Sequence, residues 1–268
     1  MKKFYESLAE KLYAGVEYPK TLTDHMKGVD LWRQFCELPQ EIKSRFAFSN
    51  HQIGTKDPGY KERERQKGRE DKWYFHYTGE NDTLIAKDGL SELVQNNSTL
   101  KAFFDFSQLI YKKAGDVALS IAKDLDRKVP GIFKEVEEGR HAMVMRFLYY
   151  NPQSPTDMSL ADPHVDRSGY TLHLYESHPG LELMNLEERW IPAPMGEGHT
   201  IVFGGYQLEK KSKGEIRATW HRVNRISGVN DRSSRTSIVF FVPFLKSPSY
   251  PKDERLQKLT PGYGKRDW

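Results

Sequence analysis

Apolar residues in the first half of the chain recur three and four positions apart, a spacing that predicts amphipathic helices. The spacing is clear in segments 4–13 and 29–46. Segment 98–126 carries a broad apolar stripe without proline, and Ser98 or Thr99 stands at its start as a helix cap. We therefore predict a helical lead-in and one long helix that packs against a sheet.

The pattern changes beyond residue 143, where short strand-like runs are each bounded by glycine, proline, asparagine or aspartate. The runs read AMVMRFLYY, YTLHLYE, LELMNL, RWIPAP, HTIVFGG, WHRVNRI and TSIVFFVPF. Regular punctuation of this kind predicts antiparallel sheets in a sandwich or barrel of jelly-roll type. One earlier strand is predicted at KWYFHY, within a loop region rich in glycine.

These elements are interpreted as one α+β domain spanning residues 1–268. Residues 1–142 form a mainly helical N-terminal region, residues 143–245 form the double-sheet core, and residues 246–268 form a C-terminal arm. The chain has no internal repeat, and its hydrophobic (37%) and charged (29%) residues are spread along its length. This distribution argues against long disordered segments.

Composition and charge narrow the class of protein. The single cysteine, Cys36, excludes an internal disulfide, and the N-terminal segment lacks the apolar core of a signal peptide. No stretch approaches the roughly 20 apolar residues that span a bilayer. The net charge is +4, but the most basic segment, 61–72, interleaves acidic residues, which favours a solvated surface over nucleic-acid binding. We expect a cytoplasmic protein that binds neither nucleic acid nor membrane, and its oligomeric state is left open.

Candidate chemistry begins at the sequence HVD, where His164 and Asp166 are two positions apart. Side chains at that spacing in an extended segment point the same way and can converge on a metal ion. The alternative is an ordinary loop histidine beside a turn-forming aspartate. A third ligand is offered by His221, 55 residues beyond Asp166 and within a strand-like run. Two imidazoles and one carboxylate on one face of a metal leave open positions, as in non-haem Fe(II) oxygenases.

A second candidate site follows in the segment RTSIVFFV. Arg235 and Ser237 share one face of the predicted strand because side chains alternate with a period of two. A guanidinium that meets a carboxylate through two hydrogen bonds, with a hydroxyl alongside, is a specific carboxylate receptor. The alternative for Arg235 alone is a surface arginine on a sheet edge. By the same alternation, Phe241 is predicted to face the barrel interior near a substrate, or simply to pack in the core.

The motifs HVD, HRV and RTS, in this order and spacing, resemble those of the isopenicillin N synthase-like family of 2-oxoglutarate/Fe(II)-dependent oxygenases. The resemblance covers roughly residues 143–245, and weaker likeness extends upstream to FCELPQEIKSRF, DPGYKER and DKWYFHY. It implies a double-stranded β-helix with iron held by His164, Asp166 and His221. It further implies that Arg235 and Ser237 bind the distal carboxylate of 2-oxoglutarate.

The resemblance adds a third co-substrate residue and two substrate residues. RFLYYNP is similar to the family's arginine-x-asparagine-tyrosine-tyrosine-proline strand, which places Tyr150 beside the co-substrate. The chain departs from that pattern at Leu148 and Asn151, where asparagine and proline are usual. Tyr74 and His76 lie in the segment that lines the pocket mouth in relatives, so both are substrate-binding candidates together with Phe241.

The implied activity is oxidation of an unactivated C–H bond in a small metabolite, by hydroxylation, desaturation or ring closure. The implied cofactors are Fe(II), 2-oxoglutarate and O2, and the products include succinate and CO2. No side chain is needed as a general acid or base beyond the metal centre. A small, carboxylated substrate is favoured over a large flavonoid. Two alternatives stay open: an oxidase of this fold that does not use 2-oxoglutarate, and a non-catalytic metal-binding jelly roll.

Overall fold

The computed structural model describes residues 4–17, 22–47, 58–63, 72–86, 89–150, 159–195, 199–224 and 234–246. Asn151 and, apart from its first residue, the predicted C-terminal arm lie outside these ranges. Among the described residues, none of the helices combines the length and the apolar character that crossing a bilayer requires.

Helices dominate the first half of the described chain and strands dominate the second half. The helices are α1 (Phe4–Lys11), α2 (Leu22–Glu37), α3 (Gln40–Ser44), α4 (Asn81–Ile85), α5 (Leu90–Asn96), α6 (Ser98–Leu125), α7 (Ile132–Glu138) and α8 (Tyr206–Lys211), and a 3₁₀ turn spans Arg140–Ala142. The strands are β1 (Tyr13–Glu17), β2 (Gly59–Arg63), β3 (Lys72–Thr78), β4 (Val144–Tyr150), β5 (Ala161–His164), β6 (Tyr170–Glu176), β7 (Leu181–Met184), β8 (Trp190–Pro192), β9 (His199–Gly204), β10 (His221–Val223) and β11 (Arg235–Val242).

The strands form two antiparallel sheets, which is the predicted jelly-roll, or double-stranded β-helix, architecture. The larger sheet has the order β1-β9-β6-β11-β4-β3-β2 and the smaller sheet has the order β5-β10-β7-β8. All strand pairs within them are antiparallel. The predicted α+β fold class is therefore confirmed.

Alternation along the strands divides the buried side chains between two cores. In β4, Met145 and Phe147 belong to the core that the larger sheet shares with the helices. Leu148 and Tyr150 point the other way, into a second core enclosed by the two sheets. Because a strand turns successive side chains to opposite faces, the polar residues that share a face with Leu148 and Tyr150 line the barrel interior. The candidate site is built on that inner face.

The long helix α6 supplies most of the helical side of the first core. Eleven of its residues are buried, and the ring of Phe103 lies 5.2 Å from the ring of Phe147 on β4. This arrangement confirms the predicted helix against a sheet. One element was missed and one local expectation was wrong. The helix predicted in segment 4–13 is present as α1, but the sequence analysis did not predict β1, which follows it and pairs with β9 at the sheet edge. The cap of α6 is Asn97, whose side-chain oxygen accepts from Leu100 N at 3.0 Å, and not Ser98 or Thr99.

Asn97→Ala is expected to lower the free energy of unfolding by about 1 kcal/mol, because the first turn of α6 loses its side-chain acceptor. Thermal or urea unfolding measures the change. Thr99→Ala is the matched control and should alter stability by less than about 0.5 kcal/mol. A larger loss in Thr99→Ala than in Asn97→Ala would contradict the assignment of the cap.

Candidate functional site

His164, Asp166 and His221 form a compact cluster of metal-ligating atoms at one end of the barrel. One ligand atom of each residue lies within 4.8 Å of the others. The Asp166 Oδ1 atom is 3.9 Å from His164 Nε2 and 3.8 Å from His221 Nε2. The two histidines are direct cross-strand partners in the β5–β10 pair, so strand pairing brings them together although they are far apart in sequence.

Hydrogen bonds set the orientation of both imidazoles. His164 Nδ1 lies 2.7 Å from the carbonyl oxygen of Asp162, and His221 Nδ1 lies 3.1 Å from that of Thr219. A carbonyl can only accept, so each Nδ1 carries the proton when these bonds form. Each neutral ring then has its lone pair on Nε2, the atom that faces Asp166. This is the tautomer that a metal-binding histidine needs.

The backbone around Asp166 is held by the first residue of α8 and the glycine before it. Tyr206 N donates to the carbonyl oxygen of Asp166 at 2.8 Å. A Cβ at Gly205 would lie 3.0 Å from that same oxygen and closer still to Ser168 O, so glycine permits the close approach. The Thr171 hydroxyl donates to Asp166 Oδ2 at 2.5 Å. These contacts leave Oδ1 as the carboxylate oxygen directed at the histidines.

Burial keeps one imidazole of the cluster unprotonated. Burial lowers the pKa of His221 to about 4, and the neighbouring His164 contributes to the lowering, against the opposing effect of Asp166. His221 is therefore neutral at physiological pH and available as a nitrogen ligand. Two imidazoles and one carboxylate fit Fe(II), and the absence of a thiolate in the cluster agrees with an oxygen- and nitrogen-ligated metal.

Arg235, at the start of β11, is the second charged group of the barrel interior. Its side chain is 6% exposed, and its Nε donates to His178 O at 3.1 Å. Gly180 lies against it, since a Cβ there would be 3.2 Å from Arg235 Nε. The Nη1 nitrogen is buried and has no hydrogen-bond partner among the described residues. A buried guanidinium with an unsatisfied nitrogen is suited to an anionic ligand.

The remaining nitrogen of Arg235, Nη2, pairs with Glu176 at the end of β6. Glu176 also lies 3.3 Å from His173 Nε2, and the side chains of His173 and Glu176 are only 4% and 9% exposed. Burial by itself would raise the pKa of Glu176, but the close contact with His173 and the charge of Arg235 hold it below its usual value. Glu176 is therefore an anion inside the barrel, a role that the sequence analysis missed.

The other two residues predicted beside Arg235 share its face of the sheet. Ser237 follows two positions along β11 and is 1% exposed. Tyr150 is the cross-strand partner of Arg235, and the guanidinium carbon lies 5.6 Å from the centre of the tyrosine ring. Leu148 lies opposite Ser237 in the same pair of strands, so an apolar side chain occupies the place where the family resemblance led us to expect asparagine.

The three predicted substrate residues surround an arginine that the sequence analysis did not single out. Arg146 Nε donates to His76 Nε2 at 2.7 Å. Its guanidinium carbon is 4.7 Å from the centre of the Phe241 ring and 5.3 Å from that of Tyr74. Arg146 shares strand parity with Leu148 and so faces the barrel. That parity was the available signal, but the surrounding apolar run hid it.

Arg146 and the three side chains around it lie near the metal-ligand cluster, a few strands away in the larger sheet. Arg146 pairs with Val239 on β11, and Val239 pairs with His173 on β6. Thr171, which contacts Asp166, is the β6 partner of Phe241. Adjacent strands are about 4.8 Å apart, so a molecule held at Arg146 lies within reach of the cluster.

The fold is a double-stranded β-helix, and the cluster is a candidate metal site of two histidines and one carboxylate. Residues 140–243 match the sequence profile of the 2OG-Fe(II) oxygenase superfamily. The match covers less than half of the chain, and this part of the chain is similar to that superfamily. The matched range contains every strand from β4 to β11 and all three metal-ligand candidates.

Curated relatives are similar over the same region. The 2-oxoglutarate-dependent dioxygenase citB of Monascus ruber is 29% identical over 119 residues, which is 42% of this chain and 35% of that protein. A 2-oxoglutarate-dependent dioxygenase of Didymella fabae is 31% identical over 120 residues, again 42% and 35% of the two chains. The chain thus aligns with about a third of the length of these relatives.

Solved structures share the fold over most of the chain. A full-length protein of Neurospora crassa, solved in complex with alpha-KG, superposes with a TM-score of 0.73 and 16% identity, covering 90% of this chain and 78% of that one. The Arabidopsis thaliana dioxygenase for auxin oxidation 1, in its 2-oxoglutarate complex, gives a TM-score of 0.70 and 15% identity, covering 94% and 91%. At these identities the likeness establishes the fold.

Proposed function

We propose that this protein is an Fe(II)- and 2-oxoglutarate-dependent dioxygenase that oxidises an unactivated C–H bond of a small metabolite. The observation that carries the proposal is the pairing of two sites in one barrel. A cluster of two Nε2 lone pairs and one carboxylate, from His164, His221 and Asp166, stands at one end. A buried arginine, Arg235, offers an unsatisfied nitrogen on the same inner face.

In this proposal the three cluster residues hold Fe(II), and Arg235, Ser237 and Tyr150 hold the distal end of 2-oxoglutarate. When bound, the metal and co-substrate supply the O2-dependent oxidation that yields succinate, CO2 and a hydroxylated, desaturated or cyclised product. The chain itself orients both groups and excludes water. Asp162 and Thr219 carbonyls keep the imidazole tautomers, and Thr171 fixes the carboxylate. No side chain is needed as a general acid or base.

The same proposal extends to the substrate, which we infer to be small and carboxylated. Arg146 is a cation on the inner face, close to the Phe241 and Tyr74 rings and bonded to His76. The contacts with two rings and His76 hold the guanidinium in place, and a planar guanidinium pairs well with a carboxylate. A flat or extended carboxylic acid therefore suits this end of the barrel.

The decisive experiment is a metabolite screen with anaerobically iron-loaded protein, followed by O2 and quantification of succinate. Substrate-dependent succinate formation supports the proposal. Substrate oxidation without consumption of 2-oxoglutarate would favour an oxidase that uses Arg235 for another carboxylate. Iron binding without any substrate-triggered O2 consumption would favour a non-catalytic metal-binding protein.

Arg146→Met is expected to lower kcat/KM for the metabolite found in the screen by about 10-fold to 100-fold, because a charge-assisted contact worth about 1.5–3 kcal/mol is lost. Methionine keeps much of the apolar stem between the two rings. Steady-state kinetics measure the effect, and the affinity for 2-oxoglutarate should stay within about 2-fold. Arg140→Met, at an exposed ion pair with Asp116, changes the net charge equally and should leave kcat/KM unchanged. Equal kinetics in Arg146→Met and wild type would contradict the substrate assignment.

We further propose that residues 1–268 act as one domain in a reducing, cytoplasmic setting. The first core joins α2 and α6 to the larger sheet, so the N-terminal helices and the barrel share buried side chains. Cys36 is buried and unpaired, which suits a compartment where thiols stay reduced. Proteolysis under native conditions tests the domain proposal, since one domain should resist cleavage between α6 and β4.

A further inference from the structure

Glu176 already bonds to the guanidinium group that the proposed function assigns to 2-oxoglutarate. Nε and Nη2 form the side edge of an arginine, while Nη1 and the second Nη2 proton form its end. The side edge of Arg235 is filled, since Nε bonds to the His178 carbonyl and Nη2 bonds to Glu176. Nη1 is the nitrogen without a partner among the described residues. The end of the guanidinium is therefore the face that a ligand can take.

The Glu176 carboxylate also changes the charge of the site. Arg235 and Glu176 are both almost fully buried and together carry no net charge. A carboxylate entering at Nη1 comes close to a second carboxylate in a region of low dielectric, where like charges repel strongly. Glu176 is kept anionic by Arg235 and by its contact with His173. The resident anion thus opposes the ligand that Arg235 attracts.

We propose that Glu176 is a specificity-determining and positioning residue of the carboxylate site. It holds the side edge of Arg235, directs the ligand to Nη1, and neutralises the guanidinium so that charge alone does not retain an anion. Firm binding then requires a second attachment, which the metal cluster provides for a 2-oxo acid. This inference rests on the proposed function for the identity of the ligand, but the behaviour of Arg235 toward a dicarboxylate can be measured without metal.

The test compares wild type with Glu176→Gln, using metal-free protein and glutarate as the probe. Glutarate has two carboxylates but no 2-oxo group to chelate a metal. Glutamine keeps an oxygen that accepts from Arg235 Nη2 and removes the negative charge. Glu176→Gln is expected to bind glutarate about 10-fold more tightly than wild type by calorimetry, with a steeper dependence on salt. Glutaramide, the uncharged analogue, should show no such gain.

The change in melting temperature on adding glutarate provides a readout that a purely structural role would not reproduce. Without ligand, Glu176→Gln should melt at a lower temperature than wild type, because Arg235 keeps an uncompensated buried charge. Saturating glutarate should then raise the melting temperature of Glu176→Gln more than that of wild type. Glu182→Gln is the matched control. It removes a carboxylate from another arginine pair, with Arg222 Nε at 2.6 Å, and should leave glutarate affinity unchanged.

Unchanged or weaker glutarate binding in Glu176→Gln, or no binding in either protein, overturns the proposal. A second measurement uses wild type alone, in case the variant does not fold. A crystal structure with Fe(II) replaced by Mn(II) and with 2-oxoglutarate should show Glu176 still on Nη2 and the ligand on Nη1, and displacement of Glu176 would overturn the proposal. Failure of the metabolite screen would affect the proposed reaction but not the glutarate result, so the two can fail separately.

Discussion

Asp166→Ala is expected to weaken Fe(II) binding by on the order of 100-fold or more, which exceeds the roughly 10-fold to 100-fold cost of losing a partner outside the ligand set. Asp166 is the anionic member of the cluster, and its Oδ1 lies 3.9 Å and 3.8 Å from the two histidine nitrogens. Without it, only two imidazoles remain and the charge that balances the cation is gone. Anaerobic titration with Fe(II), followed by a competing chelator, measures the affinity.

His173→Ala is the matched control for that experiment. His173 is another buried imidazole on the inner face of the larger sheet, but it contacts Glu176 and is not part of the ligand cluster. Its loss should leave Fe(II) affinity within a few-fold of wild type. Full iron affinity in Asp166→Ala, or a larger loss in His173→Ala, would show that the metal site has been assigned to the wrong residues.

Arg235→Ala is expected to weaken 2-oxoglutarate binding by about 10-fold to well over 100-fold. A charge-assisted pair contributes about 1.5–3 kcal/mol, and an unpaired carboxylate in a dry barrel costs more. The metal-to-ligand charge-transfer absorbance of the anaerobic Fe(II) protein reports the titration. Arg235→Lys should recover only part of the affinity, because a point charge cannot reproduce the planar fork.

Fe(II) affinity should survive in both Arg235 variants, since the residue is not in the cluster. Arg235→Ala also leaves Glu176 without its main partner, so unfolding is measured in parallel, and Arg235→Lys keeps a cation beside Glu176. An unchanged midpoint in a folded Arg235→Ala protein would contradict the co-substrate site. A wild-type protein without the absorbance band would point to the oxidase alternative, with Arg235 binding a substrate carboxylate.

Much of the fold could be predicted because its signals are local. Alternation and turn residues located β4 and the strands from β6 to β11, and helical spacing located α6, whereas the short strand β5 was not predicted. Helix caps and short edge strands were predicted less accurately. Asn97 lies one position before the predicted cap, and the five-residue strand β1 (Tyr13–Glu17) is defined only by its partner β9. A short strand at a sheet edge has little periodicity of its own.

The candidate site likewise has features that the sequence predicted and features that it could not show. Residue type and spacing alone singled out His164, Asp166, His221 and Arg235, because metal and carboxylate binding restrict which side chains can serve. Sequence could not show that His164 and His221 are cross-strand partners, since pairing between distant segments is set by the register of whole sheets.

The tertiary structure alone decided what surrounds these residues. It placed Glu176 on Arg235 and three predicted substrate residues around Arg146. Strand parity is a weak signal for these charges, because glutamate and arginine are common on exposed strand faces and their spacing matches that of solvated residues. Their burial results from the closure of two sheets into a barrel. The sequence by itself therefore identified the candidate groups for metal and carboxylate binding, and the folded barrel determined which charges face them.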